Sequence, residues 1–216
     1  MIEMERAVGV ETRRRTRGAR LTGEERRRQI VEAATTLFAQ KGFRGTKTRE
    51  IAQAAGVSEA MLFKHFATKV ELYRAIIEVK VRIPVFYDSL IQAAEQNDDA
   101  LVLRRLAHNM IGVIREDPTV LRLLFFSALE GHTLFEMMFK ARVQQLDDFL
   151  TRYIARRVAE GAFRRLDPLQ AAWNFIGMVG HYIQLVDLFG QTPPAYLTSE
   201  VAVEEMIALF LRGCQA

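Results

Sequence analysis

Residues 46–72, TKTREIAQAAGVSEAMLFKHFATKVEL, set the tightest limit on how this chain can fold. Ile51, Ala52 and Ala55 give a first short helix an apolar face. Gly56 then falls where a tight turn needs positive φ, which glycine adopts without a Cβ clash. Val57 is placed to plug the core beneath that turn. Ser58 is an N-cap whose hydroxyl can accept from an orphan backbone N–H. A second short helix, Glu59 to Phe66, follows, and Thr68-Lys-Val-Glu71 is a capping box that opens a third. Two helices joined by a three- or four-residue turn holding a glycine form the unit that lays its second helix in the major groove of DNA.

Charge points the same way. Residues 1–75 hold 16 of the 30 Lys and Arg and 9 of the 26 Asp and Glu, a net +7, whereas the rest of the chain is at −3. A basic first third on a near-neutral remainder suits a polyanion. A solvated charged face would give the same sum, and the helix-turn-helix pattern decides between them. Half of the 216 residues are hydrophobic, so a sizeable core is within reach. No run of about 18 uninterrupted apolar residues predicts a membrane span, and the N-terminus lacks the apolar stretch of a secretory signal. The single cysteine, Cys214, has no partner in the chain, which fits a cytoplasmic location.

The remaining pattern is helical. Residues 1–20, with Arg13, Arg14, Arg15, Arg17 and Arg20, read as a disordered basic N-terminal arm. It is either a minor-groove arm or a salt-sensitive tether, and the second reading is preferred. Thr22-Gly-Glu-Glu25 is another capping box, and Ile30, Ala33, Ala34, Leu37 and Phe38 follow at helical spacing. Gly42 should end that helix, and Thr46 or Thr48 should open the next. The helix begun at Thr68 should kink or divide at Pro84. Further helices are expected at about 100–116, 118–130, 133–160, 168–189 and 199–212. Asp117-Pro118 and Asp167-Pro168 mark two of the starts, Gly131 and Gly161 two of the ends, and Thr198 or Ser199 the last cap. Nothing alternates with period 2 for long enough to make a strand.

With these residues in place, the chain resembles the N-terminal domain of the TetR family of bacterial transcriptional repressors. The resemblance rests on Ile30 to Phe43, on TREIAQAAGVS and on LFKHFATKVEL, so it is close over residues 22–72. It implies an all-α chain with a helix-turn-helix DNA-binding domain at 21–67 and a helical ligand-binding and dimerisation domain at 68–216. It implies that Thr48 and Arg49 lie near phosphates or the groove, and that Glu59, Ala60 and Met61 face base edges. Lys64 and His65 would end the recognition helix on backbone or bases. Lys69 would hold a phosphate with its backbone N–H and its ammonium. Two positions depart from the family's habit. Ala60 stands where glycine is common, and Phe63 where tyrosine is, so a phosphate contact made by the tyrosine hydroxyl is missing or replaced.

The second half of the chain is rich in Phe and Met. Met110, Phe125, Phe126, Met137, Met138 and Met178, with Trp173, are candidates for lining the ligand cavity that the resemblance implies. His108, Asn174 and His181 are the candidate polar groups. Packed core is the alternative for any one of them. The histidines are too scattered for a metal site, and no catalytic constellation, P-loop or nucleophile elbow is present, so neither enzyme activity nor a cofactor is expected. The last two helices carry Ile183, Leu185, Val186, Leu188 and Phe189, then Val201, Val203, Met206, Ile207, Leu209, Phe210 and Leu211, and the final helix is apolar on more than one face and must be covered on both sides. A single helix-turn-helix reads few base pairs, so a homodimer on a palindromic operator is expected, and the resemblance implies that it pairs through these two helices. The function so inferred is a repressor released from double-stranded DNA by an apolar or amphipathic inducer. An activator or a ligand-independent regulator of the same fold is the alternative.

Overall fold

Every described element is a helix. The structure, a computed structural model, describes residues 22–80 and 86–215. The chain runs α1 (Gly23–Gly45), α2 (Thr48–Ala54), α3 (Glu59–His65), α4 (Lys69–Lys80), α5 (Phe86–Glu95), α6 (Asp99–Glu116), α7 (Pro118–Glu130), α8 (His132–Arg142), α9 (Gln144–Ala159), α10 (Pro168–Ile183) and α11 (Ser199–Cys214). The basic arm at 1–20 and the expected break at Pro84 lie outside the described residues.

The caps expected at Thr22, Thr68, Asp117, Asp167 and Thr198 are made. Thr22 Oγ1 accepts from the Glu25 N–H at 3.2 Å, and Glu25 accepts the Thr22 N–H at 2.7 Å. At the start of α4, Thr68 Oγ1 accepts from the Glu71 N–H at 3.1 Å, but the Glu71 carboxylate reaches one residue further back, to the N–H of Ala67 at 2.9 Å. Asp117 and Asp167 accept from Thr119 and Gln170, and Thr198, not Ser199, caps α11. Asp117 also pairs with Lys80 at 2.6 Å, tying the end of α4 to the start of α7. Burial pushes its carboxyl up, and the bonds from Lys80 and Thr119 more than offset this, holding it below the usual aspartate range.

Three expectations are corrected. Neither Thr46 nor Thr48 caps α2: Lys47 occupies that position, its N–H held by Glu50 at 2.9 Å. Thr46 is buried, and its hydroxyl donates to the carbonyls of Gly42 and Leu37. The helix expected at 133–160 divides at Val143, where the Leu146 N–H bonds the carbonyl three residues back at 3.0 Å and breaks the regular ladder. The helix expected at 168–189 ends in a π-helical turn, Gln184–Leu188, closed by the Phe189 N–H on the Gln184 carbonyl at 2.9 Å.

One continuous buried cluster holds the molecule together. It starts with Ile30 and Phe38 of α1, takes in Leu62 and Phe66 around α3, and passes through Leu72 and Ile76 of α4 to Leu103, Leu106, Ile154 and Phe175. Helix α1 packs mainly on α7, α4 and α2, and α9 on α10. The first three helices therefore sit on the bundle through α1 and α4 rather than standing apart from it.

Candidate nucleic-acid interface and ligand cavity

The turn between α2 and α3 is closed by two backbone bonds. Gly56, at φ +63°, donates to the Gln53 carbonyl at 3.1 Å, and Val57 donates to Ala52 at 2.9 Å. This is a Schellman end, which requires the left-handed residue that glycine supplies. Val57 turns inward against the core, and the Ser58 hydroxyl accepts from the Met61 N–H at 3.1 Å. Helix α3 is seated by Leu62 and by Phe66 just beyond its end, both fully buried. Arg27 of α1 lies over the Phe66 ring at 4.6 Å, a contact with no signal in the sequence.

That seating decides what α3 shows to solvent. Glu59, Ala60, Phe63 and Lys64 are exposed, and Met61 and His65 are half-buried. Arg49 is exposed beside them, and Arg49, Gln53, Val57 and Glu59 border one open groove between α2 and α3. Thr48 Oγ1 donates to the Glu59 carboxylate, so the first residues of the two helices are tied to each other. Phe63, 45% exposed, puts an apolar ring on the outward face.

Lys69 sits at the N-terminus of α4, where backbone N–H groups and the helix dipole favour an anion. Its ammonium is turned back over the ring of Phe43 at 4.2 Å, with Phe38 at 5.8 Å. Burial lowers its affinity for a proton, against the pull of Glu130. Phe38, Phe43 and Tyr73 form an aromatic triad here, with Phe43 and Tyr73 edge to face, and burial pushes the Tyr73 phenol up to about 12. Glu130, at the end of α7, accepts the backbone N–H of Phe43 at 2.7 Å and of Arg44 at 3.1 Å.

On the far side of α7, helices α6, α7, α9 and α10 border a partly open cavity of about 200 Å³. Met110 and Ile114 line it from α6, Leu121, Leu124 and Phe125 from α7, and Leu146 from α9. Val143, then Ile176, Gly180 and Ile183 of α10, and Gln184 of the π turn complete the wall. The lining is apolar except at Gln184, a form suited to an aliphatic or amphipathic guest.

The sequence of the first three helices and of the bundle matches known proteins on both sides of α5. The profile of the bacterial regulatory proteins of the tetR family matches residues 30–76, and that of the AefR-like transcriptional repressor C-terminal domain matches residues 101–215. The chain belongs to the TetR family of transcriptional regulators. Among its relatives, the HTH-type transcriptional activator FasR of Mycolicibacterium smegmatis is 34% identical over 114 residues, 50% of this chain and 49% of FasR, so this chain matches only about half of that protein's length. The HTH-type transcriptional regulator RutR of Escherichia coli is 26% identical over 192 residues, 87% of this chain and 90% of RutR. Two solved structures share the fold. One is AibR in complex with isovaleryl coenzyme A and operator DNA, with a TM-score of 0.61 at 24% identity over 86% of this chain and 97% of that one. The other is the hemolysin II transcriptional regulator HlyIIR, with 0.61 at 18% identity over 90% and 99%.

For this TetR-family chain, the ten residues named from composition as cavity candidates do not come together. Met110 and Phe125 line the cavity. Phe126, one residue on, faces the other way: its ring lies against Gly42 of α1. Met137 packs against the core without reaching the cavity, and the side chain of Met138 lies outside the described residues. Asn174 and Met178 border a groove between α10 and α11, where Asn174 accepts from Gln170. His108 and His181 are exposed, and Trp173 is 53% exposed. The reason is helical phase. Positions 173, 174, 177 and 181 share one side of α10, whereas 176, 180 and 183 turn inward.

Large apolar residues stand exposed on and around α10 and α11, among them Leu169, Trp173, Val201 and Leu209, with Leu185 and Phe189 in and after the π turn. Among the described residues no helix is long and apolar enough to cross a membrane, and no cluster of three potential metal ligands occurs.

Proposed function

We propose that this chain is a homodimeric, sequence-specific repressor that reads a palindromic operator and leaves it when an apolar or amphipathic molecule fills the cavity. The observation that carries the reading is α3. Its inward residues Leu62 and Phe66 are fully buried, and its outward residues are free to enter a groove. Residues 21–67 form the DNA-reading unit, with Thr48, Arg49 and Lys64 toward the backbone and Ala60 and Met61 toward base edges. Glu59 and His65 flank them. The Lys69 backbone N–H meets a phosphate, its ammonium swinging off the Phe43 ring to join it. Residues 68–216 form the ligand-binding and dimerisation unit, pairing through α10 and α11. The cavity lining supports an aliphatic guest, and the AibR complex with isovaleryl coenzyme A is in keeping with that chemistry. Guest binding shifts the population toward a conformer in which α4 moves and the two recognition helices no longer match successive major grooves.

Selection of bound duplexes from a randomised pool tests this at moderate salt. A short inverted repeat is the expected product; diffuse retention without a motif would sink the proposal. Lys69→Ala should weaken binding to all duplexes alike and make the salt dependence shallower by about one unit of slope. Met61→Ala should instead change the preferred bases. Titrations against the selected site at several salt concentrations separate the two effects. The relative FasR is named an activator, which favours activation as the second reading. A reporter carrying the selected site decides the sign by whether its transcription falls or rises when the protein is supplied.

A further inference from the structure

Helix α7 has two faces at work. Leu121, Leu124 and Phe125 form part of the cavity wall. Arg122, Phe126 and Glu130, four residues apart and so on one stripe, grip the end of α1. Arg122 Nε donates to the Ala39 carbonyl at 3.1 Å, and Glu130 accepts the Phe43 and Arg44 N–H groups. Of the three helices packed most closely on α1, only α7 also lines the cavity. A displacement of α7 at that wall is therefore passed directly to the DNA-reading unit at this contact.

Glu130 fits the contact too closely to slide. A Cβ at position 42 would lie 2.0 Å from Glu130 Oε1, so the carboxylate occupies the space that glycine leaves open. Charge-assisted bonds of this kind are short and directional. A shift of α7 by an ångström must either carry residues 42–44 with it or break both bonds. Residues 42–44 lead through buried Thr46 directly to Thr48 and Arg49 at the start of α2.

We propose that Glu130 is the positioning residue through which filling of the cavity reaches the DNA-reading unit. This rests on the reading above that cavity occupancy alters DNA binding. The test fills the cavity by substitution, using Leu146→Trp from α9 and Met110→Phe from α6. Each is made alone and with Glu130→Ala, and each is checked for melting and sedimentation before use. The readout is affinity for the duplex selected from the randomised pool. In the parent chain, filling should change affinity tenfold or more. With Glu130→Ala the same filling should change it less than twofold, and Glu130→Gln, which keeps an acceptor oxygen, should restore part of the effect. A purely structural Glu130 would alter affinity by itself but leave the factor due to filling unchanged; an equal factor in parent and Glu130→Ala chains overturns the proposal. No change on filling in the parent chain would instead remove the regulatory reading of the cavity, and this inference with it.

Discussion

Gly42→Ala is expected to lower the stability of the chain by about 3 kcal/mol, read as a shift in the midpoint of urea unfolding. Gly42 has φ +74° and ψ 174°, a region of backbone space that is essentially glycine's alone. Strain of this kind costs roughly 1–3 kcal/mol where a side chain is forced into it. Here space is refused as well as conformation. The new methyl would meet Glu130 Oε1 at 2.0 Å and the Phe126 ring at 3.0 Å. If Glu130 turned aside, the Phe43 and Arg44 N–H groups would lose a charged acceptor, a loss of about 1.5–3 kcal/mol for such bonds. Gly56 provides the internal control. Its φ is +63°, yet nothing lies within 4 Å of its missing Cβ, so Gly56→Ala should cost only the conformational part, about 1–2 kcal/mol. Equal costs at the two positions would show that backbone conformation, and not the approach of Glu130, sets the requirement at Gly42.

The contrast between these glycines also marks what sequence can disclose. The turn at Gly56 is legible because its requirement is local: a short helix, a left-handed residue, a plug and a cap within seven positions. The same holds for the caps at Thr22, Ser58, Asp117, Asp167 and Thr198, each satisfied by a neighbour two or three residues away. Gly42 is visible as a helix breaker, but its closest neighbour is 88 positions along the chain, and Glu130 beside Gly131 reads as an ordinary charged helix end. The cavity was the least legible part. Large aromatic and sulfur-bearing residues were the natural candidates, yet Leu121, Leu124, Leu146 and Ile176 line it alongside Met110 and Phe125. A leucine beside a void and a leucine in packed core carry the same local pattern. Only the division of the long helix at Val143 and the π turn at Gln184, both on the cavity wall, separate them, and neither leaves a mark in composition.

Leu209→Glu is expected to convert the protein to monomers at micromolar concentration and to reduce operator affinity by about a hundredfold or more. Leu209 is 61% exposed in the single chain, on the open groove between α10 and α11. Burying a leucine contributes roughly 1.5–3 kcal/mol, and a two-fold interface presents every residue twice. Exchange for a carboxylate removes both contributions and buries two charged groups in a surface meant to exclude water, so the pairing surface fails as a whole. The fold of each subunit should survive, because the side chain does not belong to the buried cluster; an unchanged unfolding profile at low concentration would show this. Loss of operator binding follows from geometry alone. One α3 reads one half-site, and joining two half-sites through a dimer raises the apparent affinity by about 10²–10⁴ without any new contact to DNA. Sedimentation equilibrium and duplex retention on the same preparation distinguish the outcomes. A variant that remains dimeric would move the interface off α11. A monomer that still binds the full site as tightly as the parent would mean that α3 reads its sequence without a partner, and the palindrome would no longer be required.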